Sequence, residues 1–183
     1  VYQAFGDYNK AIELYEKAKE YYKKHDYTSK MLDVMNNLGY VYAKLNKKEK
    51  AATYFNKIIQ SSDDIYQKAT AYDNKGYFLN TKSSIQKIPF FHKAIQMILE
   101  KEEAIFSVPS LDLIRESGNQ QEVLIYSIDL AFHYTEAYKE TKDKKYLLKA
   151  KETLYLIDDL VSLIRYESNT EQSKLFWIEK GVN

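Results

Sequence analysis

The chain has 183 residues, with 27 Lys and Arg against 26 Asp and Glu, 5 glycines, 2 prolines and no cysteine. That length buries a continuous core without a staple, and the missing cysteines exclude disulfides, thiolate zinc sites and cysteine nucleophiles. Balanced charge gives no net field for nucleic acid or an anionic membrane, and so few glycines and prolines exclude the many turns of an all-β chain, so the fold is expected to be nearly all helix.

In chain order, Gly6-Asp7-Tyr8 followed by Ala11, Tyr15 and Ala18 predicts a half repeat over 7–25, a second helix without its first. Val1 opens in mid-pattern, which predicts a longer native chain. A full helix pair is expected at about 31–60. Leu38-Gly39 and Tyr42 lie on its first helix, Ala51 and Phe55 on its second, and Ser61-Ser62-Asp63 is the stop. Small Gly39 and Ala51 permit close approach, while Leu38, Tyr42 and Phe55 fill the surrounding space. Ala11 and Ala51 are 40 residues apart, which predicts helices extended by a turn or more.

The next pair is expected at about 65–103. Ala71, Gly76 and Leu79 mark its first helix, with Gly76 placed 37 residues after Gly39, and Pro89 opens a second helix carrying Phe91, Ala94, Ile95 and Ile98. Residues 104–119 read as an insertion: Ser107-Val-Pro109 turns, Ser110 to Arg115 makes a short helix, and Ser117-Gly118 stops it. A last pair spans about 120–166. Asn119-x-x-Glu122 is a capping box, Leu124, Ile128, Ala131 and Tyr134 give one stripe, and Leu147, Ala150, Leu154, Ile157, Val161 and Ile164 give the other. A second capping box, Ser168-x-x-Glu171, predicts a separate terminal helix at 170–180 with Leu175, Phe176 and Ile178 on its apolar face. The 18 tyrosines fit half-buried helix positions, ring packed and hydroxyl in water.

Leu38-Gly39-x2-Tyr42, then Ala51-x3-Phe55 and a helix stop, resembles the tetratricopeptide repeat. The resemblance implies an all-α solenoid of antiparallel helix pairs, stacked as a right-handed superhelix and binding proteins or peptides. A second resemblance covers residues 105–180. Asp143 to Ala150, Glu152-Thr-Leu, Ile157-Asp158-Asp159-Leu160, Ile164-Arg165 and Glu171 to Phe176 are similar to the repeat region preceding a CHAT (caspase-like) domain in bacterial proteins. The Val-Pro-Ser-Leu stretch between Ile105 and Ile114 is similar to the insertion before that region's final helix pair. This implies a regulatory array attached to a peptidase or signalling output domain whose catalytic residues lie elsewhere.

Chemistry within the chain is sparse, and no enzyme activity, metal or cofactor is expected. His25, His92 and His133 stand far apart without metal-ligand spacing and read as surface or half-buried side chains. The pairs Asp63-Asp64, Glu102-Glu103 and Asp158-Asp159 are adjacent residues that point about 100° apart on a helix and cannot converge on a substrate. There is no glycine-rich phosphate loop and no G-x-S-x-G elbow. The basic turns Lys44–Lys50 and Lys142–Lys145 are each interrupted by an acid and favour solubility. No apolar run approaches the roughly 18 to 20 residues of a membrane span, no signal peptide opens the chain, and the lack of cysteine fits a cytoplasmic location.

The candidate site is the concave groove lined by first helices. Asp33, Asn36, Asn37 and Tyr40 supply one row and Thr70, Asp73, Asn74 and Tyr77 the next, offering hydrogen bonds and flat rings to an extended peptide. A carboxylate clamp is not expected, because Thr70 and Asn74 stand where Lys and Arg would be needed. The alternative is a structural spacer or homo-oligomer that buries exposed rings such as Phe90 and Trp177.

Overall fold

A computed structural model describes residues 6–78, 81–100 and 108–179, with side chains through residue 169. Among the described residues the chain is all-α, in eight helices: α1 (Tyr8–Lys24), α2 (Thr28–Lys44), α3 (Lys48–Ser61), α4 (Ile65–Phe78), α5 (Ile88–Ile98), α6 (Leu111–Ser117), α7 (Gln120–Thr141) and α8 (Lys144–Glu179). Each long helix packs on the next, and α2/α3, α4/α5 and α7/α8 are the antiparallel pairs. Helices α2, α4 and α7 are the first helices of these pairs, and α1 packs on α2.

Two of the turns are built alike. Asp26 and Asn46 take left-handed backbone, at φ 57° and 59°. The Tyr27 amide then bonds the Tyr22 carbonyl and the Lys47 amide the Tyr42 carbonyl, each at 2.9 Å. This six-to-one bond caps the orphan carbonyls of a helix end and reverses the chain. At the α3–α4 corner the Ser62 hydroxyl donates to Gln67 Oε1 at 2.7 Å and accepts from the Asp64 amide at 3.0 Å. Asp64 Oδ1 in turn accepts from the Tyr66 amide at 2.7 Å, which starts α4.

Glycine against phenylalanine closes the first two full pairs. A methyl added at Gly39 would sit 2.6 Å from Phe55 Cε1, and one at Gly76 would sit 2.8 Å from Phe90 Cβ and 3.1 Å from Phe91 Cζ. In the third pair Ala131 stands at the corresponding position, in Leu130-Ala131-x2-Tyr134. The core is two clusters that meet at α4, where Ala71 belongs to the α1–α3 cluster and Ala69 to the cluster of α5, α7 and α8.

Several expectations are corrected. Helix α8 runs unbroken from Lys144 to Glu179, so Ser168-x-x-Glu171 lies within a helix and no separate terminal helix starts there. The reason is that no Gly or Pro interrupts 144–179, and a capping box acts only where the chain leaves the helix. Asn119 makes no capping bond. Its amide nitrogen donates to the Ile98 carbonyl at 3.0 Å and its Oδ1 accepts from the Tyr66 hydroxyl at 2.9 Å. Of the stripes expected for the last pair, Ala131, Tyr134 and Ala150 are buried, but Ile128, Leu147, Leu154 and Val161 are exposed, and Val123, Tyr126, Leu130, Leu156, Leu160 and Leu163 complete the buried face. Both helices carry apolar residues on more than one face, so spacing alone does not select the buried one. Phe90 is half-buried rather than exposed. Leu79, Glu102-Glu103, Ile105, Ser107 and the side chains of Leu175, Phe176, Trp177 and Ile178 lie outside the described residues.

Adding a methyl at either glycine overpacks a closed contact, which costs about 1 to 3 kcal/mol and outweighs the roughly 1 kcal/mol alanine gains in a helix. Gly76→Ala should be the worse of the two, because Phe90 Cβ sits at the backbone of α5 and cannot swing aside. Urea unfolding followed by circular dichroism should therefore show lowered midpoints for both variants, and an unchanged or raised midpoint would refute the close-approach role.

Candidate functional site

The first helices α2, α4 and α7 lie side by side, and polar side chains tie them together. Gln67 Nε2 on α4 donates to the Ser29 carbonyl at 3.0 Å and to Asp33 Oδ1 at 2.7 Å on α2. Asn74 Nδ2 donates to Asn36 Oδ1 at 3.1 Å. Thr70 and Tyr126 of α7 share a hydroxyl–hydroxyl bond of 3.3 Å. The expectation that tyrosine hydroxyls face water is corrected here and elsewhere: Tyr126 and Tyr66 bond within this surface, and the Tyr54 hydroxyl donates to Glu16 at 2.9 Å.

The surface holds two clefts. One, of about 260 Å³, takes in Asp33, Asn36 and Thr70 together with Gln67 and Tyr66. The other, of about 190 Å³, takes in Tyr40, Asp73, Asn74 and Tyr77 together with Lys44, Phe78 and Asp129. Of the eight groove residues read from sequence, seven line one or other cleft, and the Asn36–Asn74 bond joins the two. Asn37 is half-buried and lines neither.

Sequence reading missed the third row. Aligning Leu130-Ala131-x2-Tyr134 on Leu38-Gly39-x2-Tyr42 sets Ile125, Ile128, Asp129 and Phe132 opposite Asp33, Asn36, Asn37 and Tyr40. That alignment was the available signal. Asp129 lines the second cleft, and residues three, four and seven apart share a helix face, so Ile125, Ile128 and Phe132 lie on its side of α7. They are 56%, 52% and 56% exposed. This face is thus polar along α2 and mixed along α4, and on α7 it carries Asp129 beside the exposed Ile125, Ile128 and Phe132.

Within the second cleft Asp73 is out of the ordinary. Burial, and then the neighbouring Asp129 carboxyl, push its pKa up to about 8, and burial also raises Asp129. Asp73 Oδ1 is buried without a hydrogen-bond partner. On the far side of α7 two histidines are buried, not half-exposed as expected. His92 Nε2 and the Tyr134 hydroxyl share a 2.5 Å bond, and His133 Nδ1 and the Ser84 hydroxyl share one of 3.2 Å. The His133 ring stacks on Phe91 at 5.0 Å. Burial, and then the Lys87 ammonium, push His133 down to about 4. Among the described residues no three His, Cys, Asp or Glu side chains converge as metal ligands, and no helix is long and apolar enough to cross a membrane.

These groups give stability opposite slopes with pH. Between about 4 and the ordinary 6.5, the unfolded chain protonates His133 and the folded chain does not, so this histidine's contribution rises with pH. Between the ordinary 3.8 and about 8, folded Asp73 keeps a proton that the unfolded chain has released, so its contribution falls as pH rises. Asp73→Asn should therefore gain stability on the parent chain at pH 8 and little near pH 4. His133→Gln should flatten the acid limb. Urea midpoints measured from pH 4 to 9 test both, and profiles parallel to the parent's would refute the assignment.

The family model described as Tetratricopeptide repeat matches residues 1–64, about a third of the chain. No match was found among curated proteins or among solved structures. Residues 1–64 are therefore similar to tetratricopeptide repeats, and the described helices as a whole form an all-α helical-repeat fold consistent with that similarity.

Proposed function

We propose that this chain is a non-catalytic protein- or peptide-binding module that takes an extended polypeptide segment across α2, α4 and α7. Solenoids of helix pairs present concave surfaces of this kind to partners. The observation that carries the reading is the groove itself, in which Asp33, Asn36, Tyr40, Thr70, Asp73, Asn74 and Tyr77 line two joined clefts and α7 adds an exposed apolar wall. Polar rows suit a peptide backbone, and the wall of Ile125, Ile128 and Phe132 suits one or two apolar side chains. The similarity of residues 143–176 to the repeats preceding a CHAT domain supports a regulatory role, in which groove occupancy changes how the array packs on a CHAT-type peptidase or signalling output domain of the same native protein. A native sequence without such a domain would remove that part of the reading.

A self-association role is the second reading, favoured by the outer face of α8. There Leu147, Leu148, Leu154 and Tyr155 are 47%, 56%, 54% and 61% exposed. Exposed apolar residues grouped along one helix can mark an interface.

Selection from a random ten-residue peptide library should yield ligands of micromolar affinity. Asn74→Ala with Phe132→Ala should weaken them by about tenfold, or about 1.4 kcal/mol, in calorimetry, while Leu154→Asp should leave them unchanged. Ligands that bind the groove variant as tightly as the parent would sink the groove reading. In light scattering, a concentration-dependent dimer lost on Leu154→Asp would support self-association, and a monomer at every concentration would remove it.

A further inference from the structure

The second cleft contains a cation held by aromatic rings. Lys44 Nζ, from the last turn of α2, lies 5.1 Å from the Tyr40 ring centre, 5.9 Å from that of Tyr77 and 5.5 Å from that of Phe78. Two of the ring pairs meet nearly at right angles, Tyr40 on Phe78 at 85° and Tyr77 on Phe78 at 76°. Rings set in this way turn π-faces toward one point, which is how aromatic cages recognise ammonium groups. The other lining of the cleft is acidic, with Asp73 from α4 and Asp129 from α7. Lys44 meets the rings and leaves Asp73 unengaged, since Asp73 Oδ1 is buried with no hydrogen-bond partner. The cleft therefore holds two carboxyls, three rings and one ammonium supplied by an exposed side chain.

We propose that the cleft between α2, α4 and α7 receives a lysine or arginine side chain of a bound polypeptide, and that Lys44 occupies its aromatic wall until that side chain displaces it. This rests on the peptide-binding reading and adds the chemistry of one ligand residue. An incoming cation on an extended segment can lie between the rings and the two carboxyls at once, giving Asp73 Oδ1 the donor it lacks. Lys44, at the helix end and exposed, can swing into water without disturbing the fold, giving up its contacts with the rings. A neutral side chain can pack on the rings but gains neither the cation–π attraction nor the carboxyls. The resident ammonium then sets selectivity, because weak or uncharged ligands do not repay its displacement.

Nuclear magnetic resonance titration of the full chain with Nα-acetyl-lysine methylamide, its arginine counterpart and the neutral norleucine analogue tests the proposal. One or both cationic probes should shift Tyr40, Lys44, Asp73, Tyr77 and Phe78 signals saturably, and norleucine should not. Lys44→Met should tighten cationic binding by about fivefold, and Asp73→Asn with Asp129→Asn should weaken it by about tenfold, with thermal melts checking that both variants fold. Equal shifts with norleucine, or unchanged or weaker binding in Lys44→Met, would overturn it. A library peptide that binds equally well with norleucine in place of its lysine or arginine removes the cation pocket and leaves the groove. Probes that saturate the cleft while every peptide fails would remove the groove reading alone.

Discussion

The close contact of glycine with phenylalanine inside a helix pair is the constraint on which the rest of the structure depends. Gly39 against Phe55, and Gly76 against Phe90 and Phe91, set how near a first helix lies to its second. That distance decides which residues of α2 and α4 turn outward. Those outward residues then meet across the two helices, through Gln67 with Asp33 and Asn74 with Asn36. An increase of one methyl in the pair spacing would be passed to the groove, because packed interiors transmit strain instead of absorbing it.

The parts of this arrangement that sequence made legible are those whose residue type follows from local geometry. Gly39, Ala51 and Phe55 announce a close pair, Pro89 a helix start, and Ser61-Ser62-Asp63 an end, because each has few alternative uses in a helical chain. The groove rows on α2 and α4 followed by counting from those marks. The third row stayed hidden because Ala131 replaces glycine and the insertion shifts the period. Its exposed Ile125, Ile128 and Phe132 also look like core residues to any pattern that equates apolar with buried. The unbroken α8 was missed for the opposite reason. Ser168 and Glu171 have the types of a capping box, but nothing upstream of them obliges the helix to stop.

Asp73 and His133 lie on elements that also carry the groove, yet they act differently. His133 is enclosed among Phe91, Phe132 and Ser84, and its neutrality serves packing. Asp73 lies beside a cleft open to solvent, with Asp129 near it and an acceptor oxygen without a donor. Buried polar groups are usually satisfied, and an orphan acceptor beside an accessible cleft is a local cost that the surrounding fold carries.

The change of character from α2 to α7 gives the groove a sense of direction. A symmetric channel would accept a strand either way round. Here one end offers Asp33 and Asn36 and the other offers Ile125, Ile128 and Phe132. A segment with a hydrophilic and a greasy end would fit in one polarity and be mismatched in the other. For a segment bound as proposed, reversing the order of its residues with the composition unchanged would change the fit.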